Sequence, residues 1–326
     1  MLAQPAREQA VCTSPLPRLQ NGVSAGALPS CLTNVPAKSP RALSYALQKK
    51  EKGVPASMSK YLFIDGAYLA RTFESFGRKM FDSPVVPIDY SLVQSIAGAT
   101  KVFYYNAPPE PKTGEPEDEF LVRLRAYENL VSELYELPNW HVAAGVTKTR
   151  KNAKLPQSQK EVDVLIAVDM LSHTMRRNTT AMALIAGDRD FRPLVEALIR
   201  EGMNLHLLFD PLSIDEELKR AADVRDKLHI RRLYDCLQPS FRDANAMPHY
   251  GLAHGVPYTP LPEKFLKETA TAKGQRVTIH RFQNDFVAIK HGVDGWQMHE
   301  YAFHLDLNLV MRFATQMWGC EPWVTP

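Results

Sequence analysis

The chain has 326 residues, 45% hydrophobic and 23% charged. That balance excludes collagen-like, coiled-coil and wholly disordered chains and leaves room for one or two domains with sizeable cores. The net charge of +3 is unevenly placed: residues 1–57 hold seven Lys or Arg against Glu8 and Glu51, and the remainder is slightly acidic. Bulk charge therefore gives no argument that the folded part binds nucleic acid.

Residues 1–57 contain seven prolines, scattered Ser, Gly and Ala, and no sustained period. Such a segment cannot bury enough apolar surface to offset its ordering entropy, and it is expected to be a disordered tail. Its basic character loosely suggests an organelle transit peptide, although it has no amphipathic helix. Equally, Met58 stands directly before the first strong strand and reads as an alternative start.

From Lys60 onward, short apolar runs alternate with helical stretches. The runs YLFID (61–65), KVFYYNA (101–107), HVAAGV (141–146), AMALIAG (181–187) and NLHLLF (204–209) read as buried strands. Between and after them lie helices expected at 67–76, 89–98, 117–136, 160–177, 191–201 and 214–222. Start signals include Asp89, the acids Glu117 and Asp118, and Ser213 ahead of Glu216 and Glu217. Strand then helix, repeated, predicts an α/β fold with a parallel sheet covered on both faces. Residues 58–235 form this domain. The Pro- and Gly-rich stretch 236–262 reads as a linker. Residues 263–326 are expected to form a small accessory module: an antiparallel meander (RVTIHRF, FVAIKHG, WQMHEYAF) with turns at 283–285 and 293–295, then a helix over 305–318.

Cys12, Cys31, Cys236 and Cys320 form no CxxC, which argues against a disulfide framework or a structural zinc site and fits a reducing compartment. No apolar run approaches the roughly 20 residues needed to span a bilayer. A cytoplasmic protein without membrane association is expected.

In a parallel α/β sheet, ligands bind at the carboxyl ends of the strands near the point where strand order reverses. Asp65 ends the first predicted strand, Asp188 and Asp190 follow the fourth in GDRDF, and Asp163 lies near the start of KEVDVLIAVDML. A right-handed βαβ topology can bring these together. Four unpaired carboxylates repel, and a divalent cation such as Mg²⁺ or Mn²⁺ removes that cost. Taken singly, each acid has a duller reading: Asp65 as a helix cap, GDRDF as an Asp-rich turn, Asp163 as a first-turn acid helping the helix dipole. Asp169 lies six residues past Asp163, about 120° away around the helix, and is expected to support the site from behind or to be structural.

FIDGAYL (63–69), KEVDVLIAVDML (160–171), AGDRDFRPLVEALIREG (186–202) and LSIDEELKRAAD (212–223) together resemble the LabA-like branch of the NYN family, relatives of PIN-domain nucleases. The resemblance covers about 60–235. It implies a PIN-like three-layer α/β/α sandwich and divalent-metal-dependent cleavage of RNA, with the family's catalytic and metal-binding acids falling on Asp65, Asp163, Asp188 and Asp190. Many NYN proteins have Asn where this chain has Tyr68; Tyr68 is read as a subgroup mark that supports the site from behind. No counterpart of the extra helix acid of toxin-type PIN nucleases is evident, which implies one ion in the free protein and a second arriving with substrate.

The expected activity is endoribonucleolytic hydrolysis of RNA, single-stranded or structured; the other reading is a catalytically silent regulator that binds RNA or protein, with a protein partner or second copy. A haloacid-dehalogenase-like phosphatase needs an Asp where Ala67 stands and is set aside. The loop before the Asp163 helix carries Lys148, Arg150, Lys151, Lys154 and Lys160, readable as a phosphate rail or as a solvated loop. Arg189 and Arg192 are placed to touch phosphate, Arg192 equally to pair with a structural carboxylate. Histidines cluster after His229 but at no metal-ligand spacing, and Phe282, Phe286, Trp296 and Tyr301 read as module core or as base-stacking surface.

Overall fold

A computed structural model describes residues 59–144, 160–253, 265–292 and 299–323. The expected tail, and its alternatives, lie outside these residues. Six strands, β1 (Lys60–Asp65), β2 (Lys101–Asn106), β3 (Trp140–Ala144), β4 (Ala181–Ile185), β5 (Asn204–Phe209) and β6 (Val224–Lys227), form one sheet in the order β3-β2-β1-β4-β5-β6. Every neighbouring pair is parallel.

The apolar runs are continuous because both faces are covered. In β1, Leu62 and Ile64 enter one core while Tyr61 and Phe63 enter the other, as the two-residue period of a strand requires. On the first face lie α1 (Gly66–Phe81), through Leu69, Phe73 and Phe76, and α2 (Tyr90–Ala97), through Val93 and Ala97. On the second lie α4 (Lys160–Met175), through Val162, Ile166 and Met170 one turn apart, and α5 (Arg192–Arg200), through Leu194, Val195 and Leu198. Between them in sequence, α3 (Glu117–Tyr135) carries the three acids Glu117, Asp118 and Glu119 in its first turn, where they complement the helix dipole. The result is the expected three-layer α/β/α, PIN-like sandwich. Asp89 caps α2 by accepting from the amides of Ser91 and Leu92. At α6 (Glu216–Ala221) the cap is Asp215, accepting from Glu217 and Leu218, and not Ser213.

α7 (Ile230–Asp235) closes the first domain, and the segment read as a linker is partly regular, with α8 (Pro239–Ala244) and strand β7 (His249–Ala253). With β8 (Phe265–Ala270), β9 (Arg276–Phe282), β10 (Asp285–Lys290) and β11 (His299–His304), it forms an antiparallel sheet in the order β7-β11-β10-β9-β8. The expected turn at 293–295 lies outside the described residues. Helix α9 (Leu307–Trp318) packs on this sheet, capped by Asp306. Its Val310, Phe313 and Ala314 belong to the same buried cluster as Phe76 of α1 and Leu233 of α7. Arg312 also pairs with Asp82 at 2.7 Å, just past the end of α1. Among the described residues no helix is long and apolar enough to cross a membrane.

Candidate functional site

Strand order reverses between β1 and β4, whose connections leave in opposite directions, and this opens a crevice at their carboxyl ends. Asp65, the last residue of β1, is only 6% exposed and caps α1: its Oδ1 accepts from the Tyr68 amide at 3.0 Å. Asp188 follows β4 and caps the 3₁₀ turn Arg189–Phe191, its Oδ1 accepting from the Asp190 amide at 3.0 Å. Asp163 sits half-buried in the first turn of α4. The duller reading of each acid thus holds: Asp65 and Asp188 are caps and Asp163 is a first-turn acid.

Their charges act on one another. Burial pushes the Asp163 carboxyl up to about 6, with further upward pressure from Asp65, Asp188 and Asp190 and a counteracting pull from Arg71. Burial also raises Asp65; the amides of Tyr68 and Ala67 and the Arg71 charge oppose this, while Asp188 adds to it. The sequence thus brings the acids of three separate segments into one electrostatic neighbourhood.

Two glycines make the crevice possible. A Cβ on Gly66 would stand 2.5 Å from the Tyr104 ring and 2.8 Å from the Tyr105 carbonyl oxygen. One on Gly187 would enter the Tyr68 ring and approach the Ser213 carbonyl oxygen to 2.8 Å. Tyr68 fills this space and ties the crevice to the loop after β5, since its hydroxyl accepts from the Asp210 amide at 2.9 Å. Burial keeps its phenol above the ordinary pKa. Asp210 in turn accepts from the Leu212 amide at 3.0 Å and the Ser213 hydroxyl at 3.1 Å.

Asp169 points elsewhere. It accepts a 2.7 Å hydrogen bond from Tyr105, whose Cα is the register partner of Asp65. Arg189 and Arg192 are both taken up by carboxylates: each pairs with Glu217, at 2.9 and 2.6 Å, and Arg192 also with Glu196 at 2.7 Å. Lys148, Arg150, Lys151 and Lys154 lie outside the described residues, and Lys160 is the first residue of α4. In the second sheet Phe282 is buried and Tyr301 stacks with Phe303, Phe286 packs against the core, and Trp296 lies outside the described residues.

Cationic side chains of α1 were not singled out by sequence. Arg71, Ser75 and Lys79 line a cleft of about 420 Å³ together with Tyr68, Asp188 and Asp210. Their four-residue spacing, which puts them on one side of the amphipathic α1, is the signal that carries them.

The donor set suits a hard dication, for every candidate ligand is a carboxylate oxygen. Among the described residues no three His, Cys, Asp or Glu side chains stand close enough to share one ion as they are placed.

No curated protein matches the chain. A solved protein of unknown function from Vibrio parahaemolyticus aligns over 57% of this chain and 100% of its own, at 16% identity and a TM-score of 0.39. GenD2 from gentamicin A biosynthesis, solved in complex with NAD, aligns over 76% of this chain and 75% of its own, at 10% identity and a TM-score of 0.22. Likenesses this slight carry no argument. The decisive match is to the NYN domain, over residues 61–226, from β1 into β6 and across all four acids. With its PIN-like sheet and nuclease-like, RNA-related character, this chain belongs to the NYN domain family.

Proposed function

We propose that the protein is a LabA-like, divalent-metal-dependent endoribonuclease. The observation that carries the reading is the mutual charge of Asp65, Asp163, Asp188 and Asp190 at the switch point of the sheet, with Asp163 raised to about 6 in the absence of a counter-cation. Asp65, Asp163 and Asp188, with Asp190 at the rim, would hold Mg²⁺ or Mn²⁺. The bound ion supplies an acidified water and neutralises charge on the phosphate. The caps on α1 and the 3₁₀ turn fix two of the carboxylates to backbone, so their orientation is set before substrate arrives. Arg71 lines the cleft beside Asp188 and would meet a phosphate oxygen. In-line attack would leave 5′-phosphate and 3′-hydroxyl ends. The two described cysteines, Cys236 and Cys320, are free, which accords with a cytoplasmic setting.

One observation favours the silent alternative: no three carboxylates converge tightly among the described residues. The full chain incubated with labelled single-stranded, structured and transfer RNA separates the two. Cleavage in Mg²⁺ or Mn²⁺, absent with chelator and lost in Asp188→Asn, is expected. RNA bound but uncut under every metal condition means a regulator.

A further inference from the structure

The cleft beside the acids does not end at them. Its chamber of about 420 Å³ shares Ser75, Lys79, Asp210 and Leu212 with a second chamber of about 280 Å³. The second continues past Lys227 and His229 to the last turn of α9, at Gln316–Gly319. One wall of this passage is therefore α1 of the nuclease domain, and another belongs to the C-terminal module.

That wall is not loosely hung. Arg312 of α9 pairs with Asp82 and donates to the Met80 carbonyl at 3.4 Å, while Phe313 and Trp318 join the core that contains Phe76. Along the passage, Arg71 and Lys79 stand two turns apart on α1, about 12 Å along its axis, and Lys227 follows. Among the described residues no carboxylate forms an ion pair with any of the three. The second chamber also holds polar groups awaiting a partner. Thr72 is 3% exposed and its hydroxyl is unbonded, and the Nδ1 of His229 is likewise buried and unbonded. Buried polar atoms are rarely left so, and both line this chamber.

We propose that this passage is the path of the RNA strand: a single-stranded backbone runs from the acids between α1 and the end of α9, its phosphates on Arg71, Lys79 and Lys227. The C-terminal module is then a wall of the substrate channel, and the cationic guidance that net charge denies the chain is concentrated here. The direction of the strand rests on the ribonuclease reading; the binding does not.

The test uses the full chain and fluorescein-labelled oligouridylate in chelator, so no turnover enters it. Affinity is measured by anisotropy against KCl concentration. Lys79→Ala with Lys227→Ala is expected to weaken binding about tenfold at low salt. It should also make the log–log salt slope shallower by about 1.4, at ~0.7 per phosphate contact on a single strand. Lys273→Ala, on the exposed turn between β8 and β9, is expected to leave the slope unchanged. Gln316→Arg adds a cation to the α9 wall and should tighten binding and steepen the slope by about 0.7, a gain that no folding defect imitates. A parent that does not bind, equal slopes in parent and double variant, or no gain from Gln316→Arg overturns the proposal. Failure of the chain to cleave RNA would sink the ribonuclease reading and leave these binding results standing.

Discussion

Tyr105 donates its hydroxyl hydrogen to Asp169 at 2.7 Å, and this bond sets Asp169 apart from Asp163 on α4. Asp163 feels the charges of Asp65, Asp188 and Asp190, whereas Asp169 is held by a strand-end tyrosine. Tyr105→Phe removes a hydrogen bond to a carboxylate, a loss of about 1.5–3 kcal/mol in stability. Urea denaturation should show it, while Mn²⁺-dependent cleavage at saturating metal should fall by less than threefold. A loss of cleavage as complete as in Asp188→Asn would place Asp169 among the metal ligands.

Asp163 gives a pH test. Its carboxyl is raised to about 6 in the fold from an ordinary 3.8, so the folded protein holds this proton more tightly than the unfolded chain does. Ionisation above pH 6 therefore destabilises the metal-free protein, and the penalty disappears as pH falls through 6 toward 3.8. Asp163→Asn should raise stability in chelator at pH 8 by about 1–2 kcal/mol, after allowance for partial solvent screening. At pH 4 the gain should be nearly gone. Equal stability of parent and variant at pH 8 would contradict the electrostatic picture.

The opposite sign is expected at the far end of the sheet. Lys60 Nζ lies 2.6 Å from His206 Nδ1, and His206 Nε2 lies 2.8 Å from Asp226. A charged lysine only donates, so Nδ1 accepts and Nε2–H donates to Asp226. Burial, then the Lys60 charge, lowers the His206 pKa from 6.5. Its contribution is present above pH 6.5 and is lost as pH falls through the lowered value. The stability gap between parent and His206→Asn should be widest at pH 7.5 and narrow by pH 5; a gap that widens on acidification would refute the assignment.

Gly187 offers a steric test. Its missing Cβ leaves room for the Tyr68 ring, and the Ser213 carbonyl oxygen stands 2.8 Å from where that atom would be. Gly187→Ala should cost about 1–3 kcal/mol through displaced packing. It should also loosen the loop held by the Tyr68–Asp210 bond, seen as faster amide exchange at Asp210 and Leu212. Unchanged exchange and stability would mean that Tyr68 moves aside freely.

The parallel sheet was legible because strands buried on both faces are written as unbroken apolar runs, as in Leu62–Ile64 and Met182–Ile185. The positions of Asp65 and Asp188 after their strands, and of Asp163 in the first turn of its helix, were legible because strand ends and helix starts carry their own signals. What escaped lacked its own signal. β6 is the polar run Val224–Lys227, which is a strand because β5 offers an open edge. β7 holds Gly251, over which the Tyr301 ring lies, a fit invisible without the partner strand. The cap of α6 moved from Ser213 to Asp215 because Asp210 engages the serine. Arg71 and Lys79 of α1 become a pair only through the cleft beside them.

The account stands most directly on whether the acids bind a dication in the free protein. Titrating the full chain with Mn²⁺ and following free metal by electron paramagnetic resonance measures this without substrate. One ion per chain is expected in the parent, with affinity reduced at least tenfold in Asp65→Asn and Asp188→Asn and unchanged in Lys273→Ala. A parent that binds no Mn²⁺, or variants that bind it as tightly as the parent, would contradict the claim that these carboxylates form a metal centre.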